Sequence, residues 1–159
     1  MLGVRCSMCV FRKSNIKQQK SNHEQQKSNN EQQKSNNEKI MKSYTDLDVW
    51  KKSRELVKEI YILTKTFPKD EMYGLSSQMK RCAVSVPSNI AEGHGRNHAK
   101  DTLQFFYISR GSLYELETQL FLSLDLEFIK KESFDINFET ITHCKQMVNG
   151  LIRYYKTLV

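Results

Sequence analysis

The sequence predicts an all-α protein, an up-down four-helix bundle behind a disordered N-terminal tail. Three observations carry that expectation. Four long segments repeat apolar residues at three- and four-residue steps, the spacing of one helical face. The 159 residues include only 2 prolines and 6 glycines, too few for a turn-rich all-β chain. No segment alternates apolar and polar residues with the period of a strand. The length suits one ordinary domain, divided here into a tail over 1–40 and a bundle over 41–159.

The tail is marked by a repeat. Gln18-Gln19-Lys20-Ser21-Asn22 recurs at Gln25 and again at Gln32, with a period of seven. A coiled coil needs two apolar positions in each heptad, and this repeat has none. With nothing to bury, it cannot offset the entropy of ordering, so the expectation is a disordered polar segment.

After Met41 the pattern changes. Leu47, Trp50, Leu56, Ile60, Leu63 and Phe67 define a first amphipathic helix over about 46–66, which Pro68 stops. A second helix starts near Asp70 or Glu71, whose charges suit a helix N-terminus, and runs through Leu75, Met79, Cys82/Ala83, Val86 and Ile90. Pro87 inside it predicts a kink or a short break. Gly93 is placed as a left-handed C-terminal cap. The third helix, about 99–126, lines Leu103, Phe106, Leu113, Leu116, Leu120 and Leu124 on one face. Phe105, Tyr107, Ile108 and Phe121 point elsewhere on it, so it is either central or also a subunit interface. Gly111, with Ser109 and Ser112, would admit a close neighbouring helix. The fourth helix, about 133–158, carries Phe134, Phe138, Ile141, Cys144, Val148, Leu151 and Tyr155. The short connection before it makes the third and fourth helices antiparallel neighbours.

The formal net charge is +7, which by itself suggests nucleic acid or an anionic surface. Its distribution changes the inference. Residues 1–40 hold 8 Lys/Arg against 3 Asp/Glu, and residues 41–159 hold 17 against 15. The tail therefore carries most of the excess, and the domain is nearly balanced. No stretch approaches the roughly 20 apolar residues that span a bilayer, and the first residues lack a continuous apolar core for a signal peptide. A cytoplasmic protein with no membrane partner is expected.

Cys82 and Cys144 occupy apolar positions of predicted helices and read as small buried hydrophobes. Cys6 and Cys9 form a C-x-x-C with no second ligand pair at zinc spacing. His94 and His98, four apart after Glu92, are read as solvated loop residues flanked by Gly93 and Gly95. Glu139 and His143 read as a helix-surface pair, since a di-metal bundle needs such a motif on two helices with further glutamates. No nucleophile elbow, glycine-rich phosphate loop or Cys-His arrangement is present. No metal, no cofactor and no enzymatic activity are expected.

The most distinctive stretch is Ser85-Val86-Pro87-Ser88-Asn89-Ile90-Ala91-Glu92-Gly93. One reading makes Asn89 and Glu92 a surface site for a partner subunit or RNA. The preferred reading is local: Ser85, Ser88 and Asn89 satisfy backbone groups around Pro87, and Gly93 caps the helix. Lys80, Arg81, Arg96, Lys100 and Arg110 form a phosphate-contacting patch if the end of the second helix and the start of the third share a rim. The competing reading is an ordinary solvated face, with Arg110 paired to Glu115 or Glu117. No aromatic motif of the single-strand-binding type accompanies them.

Residues 78–93, which include Ser85, Asn89, Glu92 and Gly93, resemble a signature of the bacterial four-helix-bundle proteins encoded in 23S rRNA intervening sequences. Ser109-Arg110-Gly111-Ser112-Leu113-Tyr114-Glu115-Leu116-Glu117-Thr118 fits the same family, as do Tyr44-Thr45-Asp46-Leu47-Asp48-Val49-Trp50 and Phe67-Pro68. The resemblance covers essentially all of residues 44–158 and leaves out the repeat tail. It implies an up-down bundle that forms homo-oligomeric rings, commonly pentamers. It also implies kinship to the accessory variability proteins of diversity-generating retroelements, which engage nucleic acid. The leading expectation is a non-enzymatic ring that binds structured RNA or DNA through Lys80, Arg81, Arg96, Lys100 and Arg110. The alternative is a protein-interaction scaffold without nucleic-acid binding.

Overall fold

The computed structural model describes residues 43–159. The repeat tail and Cys6-x-x-Cys9 lie outside the described residues. Four α-helices follow one another: α1 (Asp48–Leu63), α2 (Leu75–His94), α3 (Ala99–Asp125) and α4 (Lys131–Lys156). Each packs on its two neighbours in a closed square, α1 on α2 and α4, α3 on α2 and α4, and the α2–α3 interface is the most extensive. Short connections make successive helices antiparallel, which is the up-down bundle expected from the four apolar stripes.

The ends of α1 and α2 are tighter than periodicity alone suggests. A 3₁₀ turn (Tyr44–Asp46) precedes α1, where the Ser43 hydroxyl accepts from the Thr45 amide, and another (Thr64–Thr66) follows it before Pro68. A third (Lys69–Met72) occupies the place where the second helix was expected to start. The α-helix itself begins at Leu75, because the Glu71 carboxylate reaches forward and accepts the Leu75 amide at 2.8 Å. Glu71 thus caps the helix from outside it.

A short break at Pro87 and a left-handed cap at Gly93 are both overturned. The helix runs unbroken through Pro87. Polar side chains load the carbonyls around the missing donor: Ser88 donates to the Val84 carbonyl and the Asn89 amide to the Ser85 carbonyl, each at 2.8 Å. Gly93 is not a left-handed cap. It lies buried inside α2, Gly95 ends the helix at φ −78°, and no glycine among the described residues has a positive φ. His94 therefore belongs to the last turn of α2 and His98 is the N-cap of α3, so the two do not hang from one loop.

The core is one cluster drawn from all four helices, with Leu56, Ile60, Met79, Phe106, Leu120 and Ile141 fully enclosed. Buried hydroxyls and amides within the helices mostly bond back to carbonyls three or four residues earlier, as Ser53 does to Trp50 and Ser123 to Gln119. Cys82 and Cys144 are both buried, as their apolar positions predict, and burial pushes their thiols up to about 11 and about 12. They are inert core residues at neutral pH.

The α3–α4 connection is closed by a left-handed residue. Glu127 has φ 58°; its amide donates to the Leu124 carbonyl at 3.0 Å, and the Phe128 amide donates to that of Ser123 at 2.9 Å. That is the Schellman pattern with glutamate in the position glycine prefers, and Phe128 anchors it against Phe67, ring centroids 5.4 Å apart. Glu127→Gly is expected to stabilise the protein by about 0.5–1 kcal/mol, by relieving the left-handed penalty of a residue with a Cβ. A urea midpoint that rises by the corresponding amount, with unchanged helicity, checks it.

Candidate nucleic-acid interface

The signature stretch of α2 is a packing seam. Gly93 faces α3 so closely that a Cβ there would lie 3.0 Å from both Phe105 Cβ and Phe106 Cε1, and 3.1 Å from the Thr102 carbonyl oxygen. Further along, Ser109 of α3 donates to the Val86 carbonyl at 3.2 Å, and the Ser85 and Ser112 hydroxyls meet at 2.8 Å. Asn89 donates to both the carbonyl and the hydroxyl of Ser85. Glu92 pairs with Arg96 one turn later. Ser85, Asn89, Glu92 and Gly93 thus all have intramolecular tasks, and Ser85 and Gly93 act across the α2–α3 interface. The small residues of α3 that serve the approach are Ser109 and Ser112. Gly111 is exposed, with open space where its Cβ would be.

The five basic residues do not share one rim. Lys80 and Arg81 line an open groove of about 670 Å³ along the outer side of α2, between Tyr61 of α1 and Ser112 and Glu115 of α3. They lie about 20 Å from the end of α2, at 1.5 Å per residue. Lys80 also sits 5.5 Å from the centre of the Tyr61 ring. Arg96 is in the α2–α3 turn, stacked 4.5 Å from the Phe105 ring centre, and with Asp101 and Gln104 it lines a small separate hollow. Arg110 is turned the other way, towards α4, with its guanidinium 5.1 Å from the Tyr107 ring centre rather than paired with Glu115 or Glu117. Glu117 pairs with Lys145 of α4 instead.

Lys100 goes with Arg110. Lys100, Tyr107, Tyr114 and Phe121 are spaced by sevens in α3, which keeps them within one narrow stripe of a helix. Lys145 and Lys156 of α4 reach the same stripe, 5.0 Å from the Tyr114 ring centre and 5.9 Å from that of Tyr107. From the sequence Tyr107 was read only as part of a second apolar face, and Tyr114, Lys145 and Lys156 were not read as binding residues. The seven-residue spacing in α3 was a readable signal for the tyrosines; the lysines have none, since only the packing of α4 on α3 brings them there.

Among the described residues no three His, Cys, Asp or Glu side chains converge as a metal-ligand set. Glu139 and His143 line a groove between α1 and α4 together with Lys52 and Gln146. Among the described residues no helix is long and apolar enough to cross a membrane.

A family model described as 23S rRNA-intervening sequence protein matches residues 45–150. Among solved structures, the chain is similar to the crystal structure of a protein with unknown function from the S23 ribosomal protein family of Bacteroides thetaiotaomicron VPI-5482. The two are 24% identical, with a TM-score of 0.62 over 65% of this chain and 97% of that one. At that identity the likeness is one of fold. No curated protein matches the chain.

Two glycine substitutions separate packing from helix propensity. Gly111→Ala fills open space and is expected to stabilise by about 0.5–1 kcal/mol. Gly93→Ala is expected to destabilise by roughly 1–3 kcal/mol through overpacking against α3. Opposite signs in denaturant unfolding check the seam; equal signs would remove it.

Proposed function

The chain belongs to the 23S rRNA-intervening sequence protein family, and from that premise we propose that it is a non-enzymatic, oligomeric bundle that binds structured nucleic acid through basic surface residues. One observation carries the reading. Lys80, Arg81, Lys100 and Arg110 make no ion pair among the described residues, so their charges are available to an external anion. Arg96 is the exception, since it is engaged by Glu92. Residues 41–159, with 17 Lys/Arg against 15 Asp/Glu, hold a polyanion weakly by net charge alone. Assembly into a ring, with a pentamer as the working expectation, repeats the weak site and raises its effective affinity.

An exposed apolar group on the outer sides of α2 and α3 supports assembly. Val84, Ile108, Leu122 and Leu126 are each between 41% and 54% exposed. They suit subunit contacts better than Phe105, which is half-buried beside the Gly93 seam. The same group favours a second reading, a protein-interaction scaffold in which it docks another protein and no nucleic acid is bound.

Two measurements test these readings. Fragment 41–159, which contains every described core residue and leaves out the basic tail, is titrated into a structured RNA across a salt series. The expected result is binding whose logarithm falls with log salt at a slope of several units, as multiple phosphate contacts require. No binding at about 50 mM salt, where such contacts are strongest, removes the nucleic-acid reading and leaves the scaffold. Separately, Ile108→Glu is expected to lower the mass seen by light scattering with helicity intact; an unchanged mass excludes that face as the subunit contact.

A further inference from the structure

We infer that the α3/α4 face, rather than the α2–α3 turn or the outer groove of α2, is the surface along which the phosphate backbone of a structured RNA runs. The inference rests on the nucleic-acid reading above and names its site.

Three observations select this face. The first is its charge balance. Lys100, Arg110 and Lys156 are without a carboxylate partner among the described residues, and the nearby Glu117 is already engaged by Lys145. The other two surfaces are compromised. Arg96 in the turn is neutralised by Glu92 and shares its hollow with Asp101, while Lys80 and Arg81 share the outer groove with Glu115.

The second observation is preorganisation. Tyr107 is approached by cations from two helices, the Arg110 guanidinium at 5.1 Å and the Lys156 ammonium at 5.9 Å from its ring centre. Tyr114 holds the Lys145 ammonium at 5.0 Å. A cation resting on an aromatic ring keeps its charge and loses part of its rotamer freedom, so less entropy is left to lose when a phosphate binds. The two tyrosines are 36% and 51% exposed, and a phenol hydroxyl can donate to a phosphate oxygen.

The third is shape. From Lys100 to Tyr114 the row runs along α3 for about 21 Å at 1.5 Å per residue. Between the tyrosines stands Gly111, with nothing above it within 4 Å. A row of that length is long enough to follow several successive phosphates of one strand. A long, shallow, cationic row suits a backbone. An anchored protein partner would instead seat large side chains in desolvated pockets, and a lipid surface would call for exposed aliphatic side chains where this row carries phenols.

The test uses the full chain, so the tail contributes equally to every variant, with an RNA hairpin as probe and anisotropy read across a salt series. Replacing Lys100 and Lys156 together by glutamine removes two exposed charges without touching the core. It is expected to weaken binding about tenfold or more and to reduce the salt slope by about two. Arg110→Gln is expected to remove about one further unit of slope. Glu117→Gln, which frees the Lys145 charge, is expected to tighten binding by roughly three- to tenfold, the opposite of what damage to the bundle would produce. Lys80→Gln with Arg81→Gln, an equal loss of charge elsewhere, is expected to leave slope and affinity within about twofold. If that pair weakens binding while the Lys100/Lys156 pair does not, the face assignment is overturned and the nucleic-acid reading stands. If polyglutamate competes as well as RNA at equal charge, the backbone assignment is overturned. If the unaltered chain binds no RNA, both readings fall together.

Discussion

The close approach of α2 and α3 is the constraint on which the rest of the bundle depends. At Gly93 a Cβ would stand closer than ordinary van der Waals contact, 3.0 Å from Phe105 Cβ and Phe106 Cε1 and 3.1 Å from the Thr102 carbonyl oxygen, so the neighbours would have to give way. From that point the helices stay in register through small and polar contacts, Ser109 to the Val86 carbonyl and Ser85 to Ser112. The register puts Phe106 in the core, where the Tyr155 ring of α4 meets it edge-on at 5.1 Å between centroids. It also turns the opposite edge of α3 outward, with Tyr107, Arg110 and Tyr114 along it. A larger residue at position 93 would displace the phenylalanines and, with them, the position of α4.

Polar residues in this seam also explain how a helix accommodates Pro87 without breaking. The proline removes one backbone donor, and a cluster of short side chains (Ser85, Ser88, Asn89 and Ser109) surrounds the carbonyls next to it. Their bonds are largely within one turn, so they order the local backbone and leave little capacity for a partner. The distinctive part of the signature is therefore occupied by folding. Charges available to a ligand lie elsewhere, on the edges of α3 and α4.

Several misplacements at the level of sequence have one cause. Gly93 looked like a cap because glycine near the end of an apolar pattern usually is one; it proved to be a contact residue because α3 comes back against it. Gly111 looked like a contact residue because serines flank it, and it proved to be exposed. The serines themselves make the contacts. The five basic residues were read as one patch because four of them bracket a turn within 21 positions. A helix separates residues along its axis and around its circumference, and the five fall in three places. The competing reading paired Arg110 with Glu115 or Glu117 on its own helix, yet Glu117 is taken by Lys145, 28 residues away.

The sequence by itself determined the class of fold, the four helices to within a few residues, the buried cysteines and the near-neutral charge of the domain. Those properties follow from hydrophobic periodicity and composition, which act over one or two helical turns and are written in neighbouring residues. Tertiary structure alone decided which small residues touch, which end of α2 packs under α3, and which cations share a face. Each of those depends on the relative rotation and register of two helices, set by contacts between residues 20 to 40 positions apart, such as Ser85 with Ser112 and Ser109 with the Val86 carbonyl. Periodicity states that a face is buried. It does not state what that face is buried against, and the candidate site is made of that second kind of information.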